Sequence, residues 1–327
     1  MAKTSYAFAS GAVRAHETTL LTRQDMDQLL ALRTPERVTA ALRDKGYGLP
    51  VGEREDMEDL LRQERAKLWA YLRSLVPDFQ LFAPFLVQND YQNAQTVLKG
   101  ILRDRPYAHL LLEPRTVEPA LLEAAVRDRK FSALPERLGA ALEAAYNLLA
   151  HTADTQRSDA VLEAARMAAM VEAAETTGVP LLIELNRTAV FYADIKVALR
   201  TARAGKGREL LEAALCPVEG LELSALTRAA LSGEEELLNY LETQSAYDCR
   251  EAAARFREAP AAFEKWVDDR MTLIARRAKT VTLGPEPLLG YLLAKEAEIK
   301  DIHILLTGLR AGQEEEQIRE RMRLLYA

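Results

Sequence analysis

Five charged or ionisable side chains crowd into the eight-residue run EAEIKDIH, late in the sequence. They are Glu296, Glu298, Lys300, Asp301 and His303. Carboxylates and imidazoles bind divalent metals and exchange protons near neutral pH. The run could therefore be a metal or acid–base site. It could also be the polar face of a helix, so the geometry of that helix has to be considered first.

A helix over residues 291–312 separates most of this charge from its apolar side. At 3.6 residues per turn, Ile299, Ile302 and Leu305 share a broad apolar face. The opposite face carries a polar stripe, which consists of Glu296, Lys300, His303, Thr307 and Arg310. The pattern predicts an exposed or cavity-facing helix surface with intrahelical ion pairs. We take Glu296, Lys300, His303 and Arg310 as candidates for a partner interface.

Asp301 does not belong to the polar stripe. It projects close to Ile304, on a side of the helix that we expect to be covered. A buried carboxylate must be hydrogen-bonded or paired, because burial alone would cost several kcal/mol, about 2–7 for a neutral polar group and more for a charge. The preferred interpretation is a structural tie between helices. A contact with a partner through a shared cavity remains the alternative.

Other motifs give no sign of catalysis. The sequence lacks a His-Glu-x-x-His pair, a complete phosphate-binding loop and a Gly-x-Ser-x-Gly elbow. The histidines are scattered, at His16, His109, His151 and His303. Neither Cys216 nor Cys249 has the neighbours of a tuned nucleophile. We therefore expect no catalytic, cofactor-binding or metal-binding residues.

The composition favours an all-α protein. The 327 residues are 49% hydrophobic but only 6% aromatic, so Leu, Ala, Val and Ile must build the core. The net charge of −6 argues against a nucleic-acid partner, which requires a concentrated basic patch. Two cysteines without metal-site spacing indicate a reducing cytosol. We find neither a signal peptide nor an apolar run of the ~20 residues that span a membrane.

A repeat with a period near 100 residues runs through the chain. PERVTAAL at 35–42 recurs as PERLGAAL at 135–142, and EEELLNYL at 234–241 is a fainter third copy. Proline fits the first position of a helix, because the N–H that it lacks would have no partner within the helix there. The first two copies are therefore typical of helix starts. Before the third copy, Ser232 has the residue type of an N-cap.

A second marker repeats at nearly the same spacing. YQNAQTVL, YADIKVAL and EIKDIHILL align on Asn93, Asp194 and Asp301, 101 and 107 residues apart. We interpret these three residues as one structural motif that occurs once per unit. The predicted units span about 1–130, 131–230 and 231–327. Three such bundles fit a pseudo-threefold axis with a central depression better than an extended solenoid, whose repeats are shorter.

Within the first unit the apolar periodicity predicts several helices with short connections. Their expected ranges are 23–32, 35–45, 54–75 and 82–103.

Several motifs resemble the C subunit of the bacterial and archaeal-type V-ATPases, which corresponds to the d subunit of the eukaryotic pump. The first motif contains Tyr6, Arg14, Ala15, Glu17, Leu20 and Leu21. The second is NDYQNAQTVLKG. The most distinctive contains Tyr291, Lys295, Glu296, Glu298 and Ile299, followed by Gly312, Ile318, Arg319 and Glu320. The chain departs from the family at Asp301, where many members have Asn, and at His303, where Arg is usual.

The resemblance implies a non-catalytic component of a rotary V-type ATPase. Its three helical units would form a funnel with a central cavity, on the cytoplasmic side of the membrane rotor ring. The cavity would receive the central shaft, made of the D and F subunits. One copy per complex, peripheral on the cytoplasmic face of the cell membrane, would transmit torque for proton or sodium transport.

Two other interpretations of the residues stay open at this point. The first is a generic helical adaptor that binds a helix of another partner. The second is a helical-bundle enzyme with a metal at Glu296, Glu298 and His303. A membrane-surface helix is disfavoured, because no helix combines a basic face with an aromatic-rich apolar one.

Overall fold

The computed structural model describes residues 6–48, 57–205 and 207–327. Over these ranges the chain forms sixteen α-helices and short 3₁₀ turns, with no β-strand, which confirms the all-α prediction. The helices are α1 (Ala7–Glu17), α2 (Arg23–Leu30), α3 (Pro35–Asp44), α4 (Met57–Leu75), α5 (Ala83–Leu102), α6 (Pro119–Asp128), α7 (Glu136–Thr152), α8 (Thr155–Thr177), α9 (Pro180–Arg203), α10 (Arg208–Ala214), α11 (Leu223–Ser232), α12 (Glu234–Thr243), α13 (Cys249–Glu258), α14 (Pro260–Arg276), α15 (Glu286–Arg310) and α16 (Glu315–Arg321).

The helices gather into two compact units. Unit 1 joins Met1–Phe79 to Arg255–Ala327, and unit 2 is Gln80–Ala254. Unit 1 therefore contains the two ends of the sequence, whereas unit 2 is one continuous stretch. The predicted division into three units near residues 130 and 230 remains a prediction, as do the funnel and its cavity.

The predicted helices of the first hundred residues lie close to their expected ranges. Those at 23–32, 35–45 and 82–103 correspond to α2, α3 and α5. The helix predicted at 54–75 is α4, and the first three residues of that prediction lie outside the described residues. Local capping explains the sharp starts, since Thr22 and Asp25 form a capping box at α2 and Thr34 caps α3 ahead of Pro35.

Two expected helix starts differ in detail. Ser232 does not cap α12, because it is the last residue of α11 and its hydroxyl donates to the Arg228 carbonyl at 3.0 Å. Gly233 occupies the N-cap position with φ of 134°, a backbone conformation that a side chain would strain. Pro135 is the N-cap of α7, whereas Pro35 is the first residue of α3.

Helix α15 lies at the centre of unit 1. Sixteen of its 25 residues are buried, which is more than one apolar stripe supplies, so the helix is covered on several sides. It packs against α1, α3, α4, α14 and α16. One core cluster of unit 1 contains Leu21, Met26, Leu29, Leu30, Val38, Leu42, Tyr47, Met57, Leu60, Leu61, Ile299, Ile302, Leu305, Leu306, Ile318, Met322 and Leu325.

Unit 2 is organised around two long helices. Helix α8 packs against α5, α7 and α10, and α9 packs against α8, α10, α11 and α12. Aliphatic residues with few aromatics form the main core cluster, as the composition predicts. Its buried members are Tyr91, Ala94, Val97, Leu98, Val117, Leu122, Ala125, Val126, Phe131, Leu134, Leu138, Ala141, Leu142, Ala145, Tyr146 and Leu162.

Candidate functional site

Two residues of the polar stripe pair with helix α4. Glu296 accepts two hydrogen bonds from Arg65 Nε, at 2.9 and 3.0 Å. His303 Nε2 lies 3.3 Å from a carboxylate oxygen of Glu58. Both contacts join α15 to the helix that packs beside it. Glu296 and His303 therefore pair with another helix, whereas the sequence pattern predicted ion pairs within α15.

The other two charged residues of the stripe, Lys300 and Arg310, have different surroundings. Lys300 Nζ lies 2.5 Å from Asp268 Oδ2, which also accepts a hydrogen bond from Arg323 Nε at 2.8 Å. Arg310 is exposed in the last turn of α15, and its guanidinium makes no ion pair with the residues that the structure describes. Positive charge in the last turn of a helix is favourable, because it complements the helix dipole. Arg310 is thus the stripe residue most available to a partner.

These surface ion pairs stabilise the fold only weakly. The side chains of Lys300 and His303 are about half exposed, at 49% and 48%. Exposed pairs contribute about 0–1 kcal/mol, because water screens them and ordering the side chains costs entropy. A partner could therefore exchange them at low cost. The interface role of the stripe remains a prediction.

The structure does not bring the proposed metal ligands together. Glu296 pairs with Arg65 on the surface, whereas Glu298 is buried in the core of unit 1. Across the described ranges, no group of three His, Cys, Asp or Glu side chains is arranged to hold a metal ion.

A buried charge network that sequence reasoning missed lies beneath the stripe. Lys295 Nζ is 2.5 Å from Glu298 Oε1, 3.0 Å from Glu64 Oε1 and 3.0 Å from the Tyr47 hydroxyl. Glu298 also accepts hydrogen bonds from the Tyr47 hydroxyl and from the Leu21 backbone N–H, the latter at 2.5 Å. One cation thus joins two carboxylates that come from α4 and α15.

Burial determines the chemistry of this network. The side chains of Lys295, Glu64 and Glu298 are 9%, 9% and 2% exposed. Burial and the neighbouring Glu298 carboxylate raise the pKa of Tyr47 well above its ordinary value, so its hydroxyl stays a neutral donor. The Lys-Glu-x-Glu-Ile run contains half of the network. Tyr47 and Glu64 lie about 250 and 230 residues away in the sequence.

The first family-like motif forms a second set of ties in unit 1. Arg14 Nη1 pairs with Glu17 at 2.7 Å, and Arg14 Nη2 donates to the carbonyls of Ala278 at 2.5 Å and Val281 at 2.9 Å. The Tyr326 hydroxyl donates to Glu17 at 3.2 Å. The motif therefore holds α1 to the segment before α15 and to the segment after α16.

The repeated residues Asn93, Asp194 and Asp301 are all fully buried. In each case a side-chain oxygen accepts a hydrogen bond from the backbone N–H of a later, non-helical segment. The pairs are Asn93 Oδ1 with Leu112 N (2.7 Å), Asp194 Oδ1 with Cys216 N (3.0 Å) and Asp301 Oδ1 with Arg323 N (2.9 Å). These contacts join a helix to a loop rather than a helix to a helix.

Comparison with known proteins places the whole chain in one family. The sequence profile described as "ATP synthase (C/AC39) subunit" matches residues 9–321. The chain belongs to this family. Members of the ATP synthase (C/AC39) subunit family also align with the chain along nearly its full length. In the part of the chain that the structure describes, no helix is long and apolar enough to cross a membrane.

Three relatives illustrate the match. The C subunit of the V-type sodium ATPase of Enterococcus hirae is 22% identical, over 96% of this chain and 97% of that protein. The C subunit of the A-type ATP synthase of Desulfurococcus sp. is 23% identical, over 97% of this chain and 90% of that protein. The C subunit of the A-type ATP synthase of Thermococcus gammatolerans is 25% identical, over 97% and 89%. The resemblance drawn from the motifs is thereby confirmed at the level of the family.

Proposed function

We propose that the chain is the non-catalytic central-stalk component of a rotary V-type ATPase or ATP synthase. It would form a socket between the central shaft, made of the D and F subunits, and the membrane rotor ring. One copy per complex, on the cytoplasmic face of the membrane, would transmit torque for proton or sodium transport.

The near-complete alignment with the C subunits of other rotary ATPases is the observation that carries this proposal. The E. hirae protein is matched over 97% of its length by 96% of this chain. Correspondence over such an extent supports a shared role in the complex better than a shared local motif would. The name of that relative specifies sodium, and the names of the other two relatives specify ATP synthesis.

The contacts within unit 1 fit a part that has to bear torque. Helix α15 is fixed to α4 by the Lys295 network and by the Glu296–Arg65 pair. It also packs directly against α14. Close-packed interiors deform little under load, and contacts between segments distant in sequence add further constraints. This supports a rigid coupling element.

Co-purification tests the assembly directly. Affinity-tagged chain, expressed at native level and extracted with membranes, is expected to recover the shaft subunits and the oligomeric ring. Recovery of other proteins with neither of these would favour the adaptor function, and it would overturn the proposed function.

Arg310 offers the sharpest test of the polar stripe. Arg310→Glu reverses an exposed charge that makes no ion pair with the described residues, so it is expected to weaken capture of the shaft subunits. Its cost to stability should be limited to about 0.3–1 kcal/mol, from the lost interaction with the helix dipole. Lys300→Glu is less suitable, since it would place a second acid beside Asp268. Arg37→Glu on α3 is the matched control, because it makes the same charge change at another exposed site of unit 1. Equal capture by both variants would exclude Arg310 from the interface.

A further inference from the structure

Three long helices bury a short polar residue at the same position relative to their ends. Asn93 in α5, Asp194 in α9 and Asp301 in α15 each lie nine residues before the last residue of the helix. In each case the chain then turns back, and a later segment lies across the helix. The backbone N–H of that segment binds to the buried residue, 19 residues later for Asn93 and 22 residues later for the two aspartates.

At Asn93 both polar atoms of the side chain have hydrogen-bond partners, and their geometry shows what this position requires. Its Oδ1 accepts from Leu112 N at 2.7 Å, and its Nδ2 donates to Leu112 O at 3.0 Å. The carboxamide thus pairs with both backbone groups of one residue. This arrangement needs one donor and one acceptor on the side chain, which an amide always has.

The two aspartates satisfy only half of this arrangement. Their Oδ1 atoms accept from Cys216 N and Arg323 N. Their Oδ2 atoms are buried and have no hydrogen-bond partner among the residues that the structure describes. An ionised carboxylate has only acceptors, whereas a protonated one has a donor where Asn93 has its amide nitrogen. A buried polar atom left without a hydrogen-bond partner destabilises the folded state.

We propose that Asp194 and Asp301 function as protonated equivalents of Asn93, each donating its Oδ2–H to the backbone carbonyl of the residue whose N–H it accepts. For Asp194 that carbonyl belongs to Cys216, and for Asp301 it belongs to Arg323. The segments after α10 and α16 would then be held by ties that depend on pH, whereas the segment at Leu112 is held by one that does not.

The surroundings of the two aspartates predict a stronger pH dependence for the tie at Asp194 than for the tie at Asp301. Burial raises the pKa of Asp194 to about 7, against the single opposing influence of the Cys216 N–H. The Cys216 thiol that faces it has its own pKa raised to about 11 and stays neutral. Burial raises the pKa of Asp301 to about 6. The cations Arg323 and Arg23 favour its ionised form, and the carboxyl of Asp269 on α14 opposes it.

The sign of the pH dependence follows from these directions. A carboxyl whose pKa is higher in the folded protein contributes its full stability below the unfolded value, near 4. The contribution is lost as pH rises to the folded pKa. Opening of the Cys216 tie should become on the order of 50-fold more favourable between pH 5 and 7. Over the same pH interval, opening of the Arg323 tie should become roughly tenfold more favourable.

Amide hydrogen exchange in the intact protein measures this opening residue by residue. The Leu112 amide is an internal reference for Cys216, since it belongs to unit 2 and is tied to an asparagine. After correction for intrinsic exchange, the protection of Cys216 relative to Leu112 is expected to fall about 50-fold from pH 5 to 7. Constant relative protection over this range would overturn the proposal, and this comparison needs no variant.

The matched variants are Asp194→Asn and Asp301→Asn. Each supplies the amide donor permanently, so each is expected to keep the protection of its tie at pH 5 and to remove the decline at pH 7. Loss of protection at both pH values, in a variant that still folds, would show that the carboxylate itself is required. That result would also contradict the proposal.

Discussion

Replacement of Lys295 by methionine tests whether the buried network stabilises unit 1. Methionine keeps most of the length and apolar volume of lysine and removes the ammonium group. Glu298 would then stay in the core without the cation that lies 2.5 Å from it, whereas Glu64 would lose the contact at 3.0 Å and keep Lys67, 2.7 Å from its other oxygen. Tyr47 would lose the ammonium group above its ring as well, now 4.2 Å from the ring centroid.

The expected cost is large for a single substitution. Removal of one partner from a buried ion pair costs about 3–5 kcal/mol, because the other charge stays buried and uncompensated. Unit 1 has the size of a domain that shifts about 2–4 °C per kcal/mol. The melting temperature of unit 1 should therefore fall by roughly 6–20 °C.

Tryptophan fluorescence reports this change selectively. Both tryptophans, Trp69 and Trp266, lie in unit 1, so the signal follows the unfolding of that unit. Lys300→Met is the matched control, because it removes the same group from the same helix at a half-exposed pair with Asp268. Its expected cost is about 0–1 kcal/mol.

Equal losses of stability for Lys295→Met and Lys300→Met would show that the buried network stabilises unit 1 no more than the half-exposed Lys300–Asp268 pair does.

Two further substitutions test packing and capping. Gly139→Ala should cost about 1–3 kcal/mol in thermal unfolding followed by circular dichroism, because the new methyl group would overlap the Phe131 carbonyl. The control Gly11→Ala meets open space in α1 and should gain about 0.5–1 kcal/mol, so two changes of the same sign would contradict the packing explanation. Asp25→Asn should cost about 1 kcal/mol at pH 7 in urea unfolding. Hydrogen bonds from Lys45 and Thr22 lower the pKa of Asp25 to about 2, so its contribution is lost as pH falls from about 4. A cost for Asp25→Asn that is unchanged at pH 3 would contradict this assignment.

Local sequence patterns predicted the helices well where caps and periodicity agree. Thr34 and Pro35 start α3 where the pattern places it, because the cap and the proline act within one turn. The pattern failed at Ser232, since a glycine with positive φ starts α12 instead. The backbone conformation at such a junction depends on how the two helices pack against each other. The capping propensity of a single residue therefore cannot predict it.

The surroundings of the candidate interface residues were predictable only in part. Helical periodicity placed Lys300 and His303 on an exposed face and Asp301 on a buried one, in agreement with the structure. The partners of these residues come from α4, α14 and the segment after α16, and no sequence spacing identifies them. The Lys295 network was missed for the same reason, since it joins segments brought together only by the tertiary fold.

Ion transport by the reconstituted complex is the decisive measurement for the proposed coupling role. Vesicles that contain the rotor ring, the shaft and the catalytic head can be assembled with and without this chain. We expect ATP hydrolysis to continue without the chain while ATP-driven ion transport is lost, and we expect transport to return when the chain is added back. Ion transport at an undiminished rate in its absence would mean that the chain does not couple the shaft to the ring.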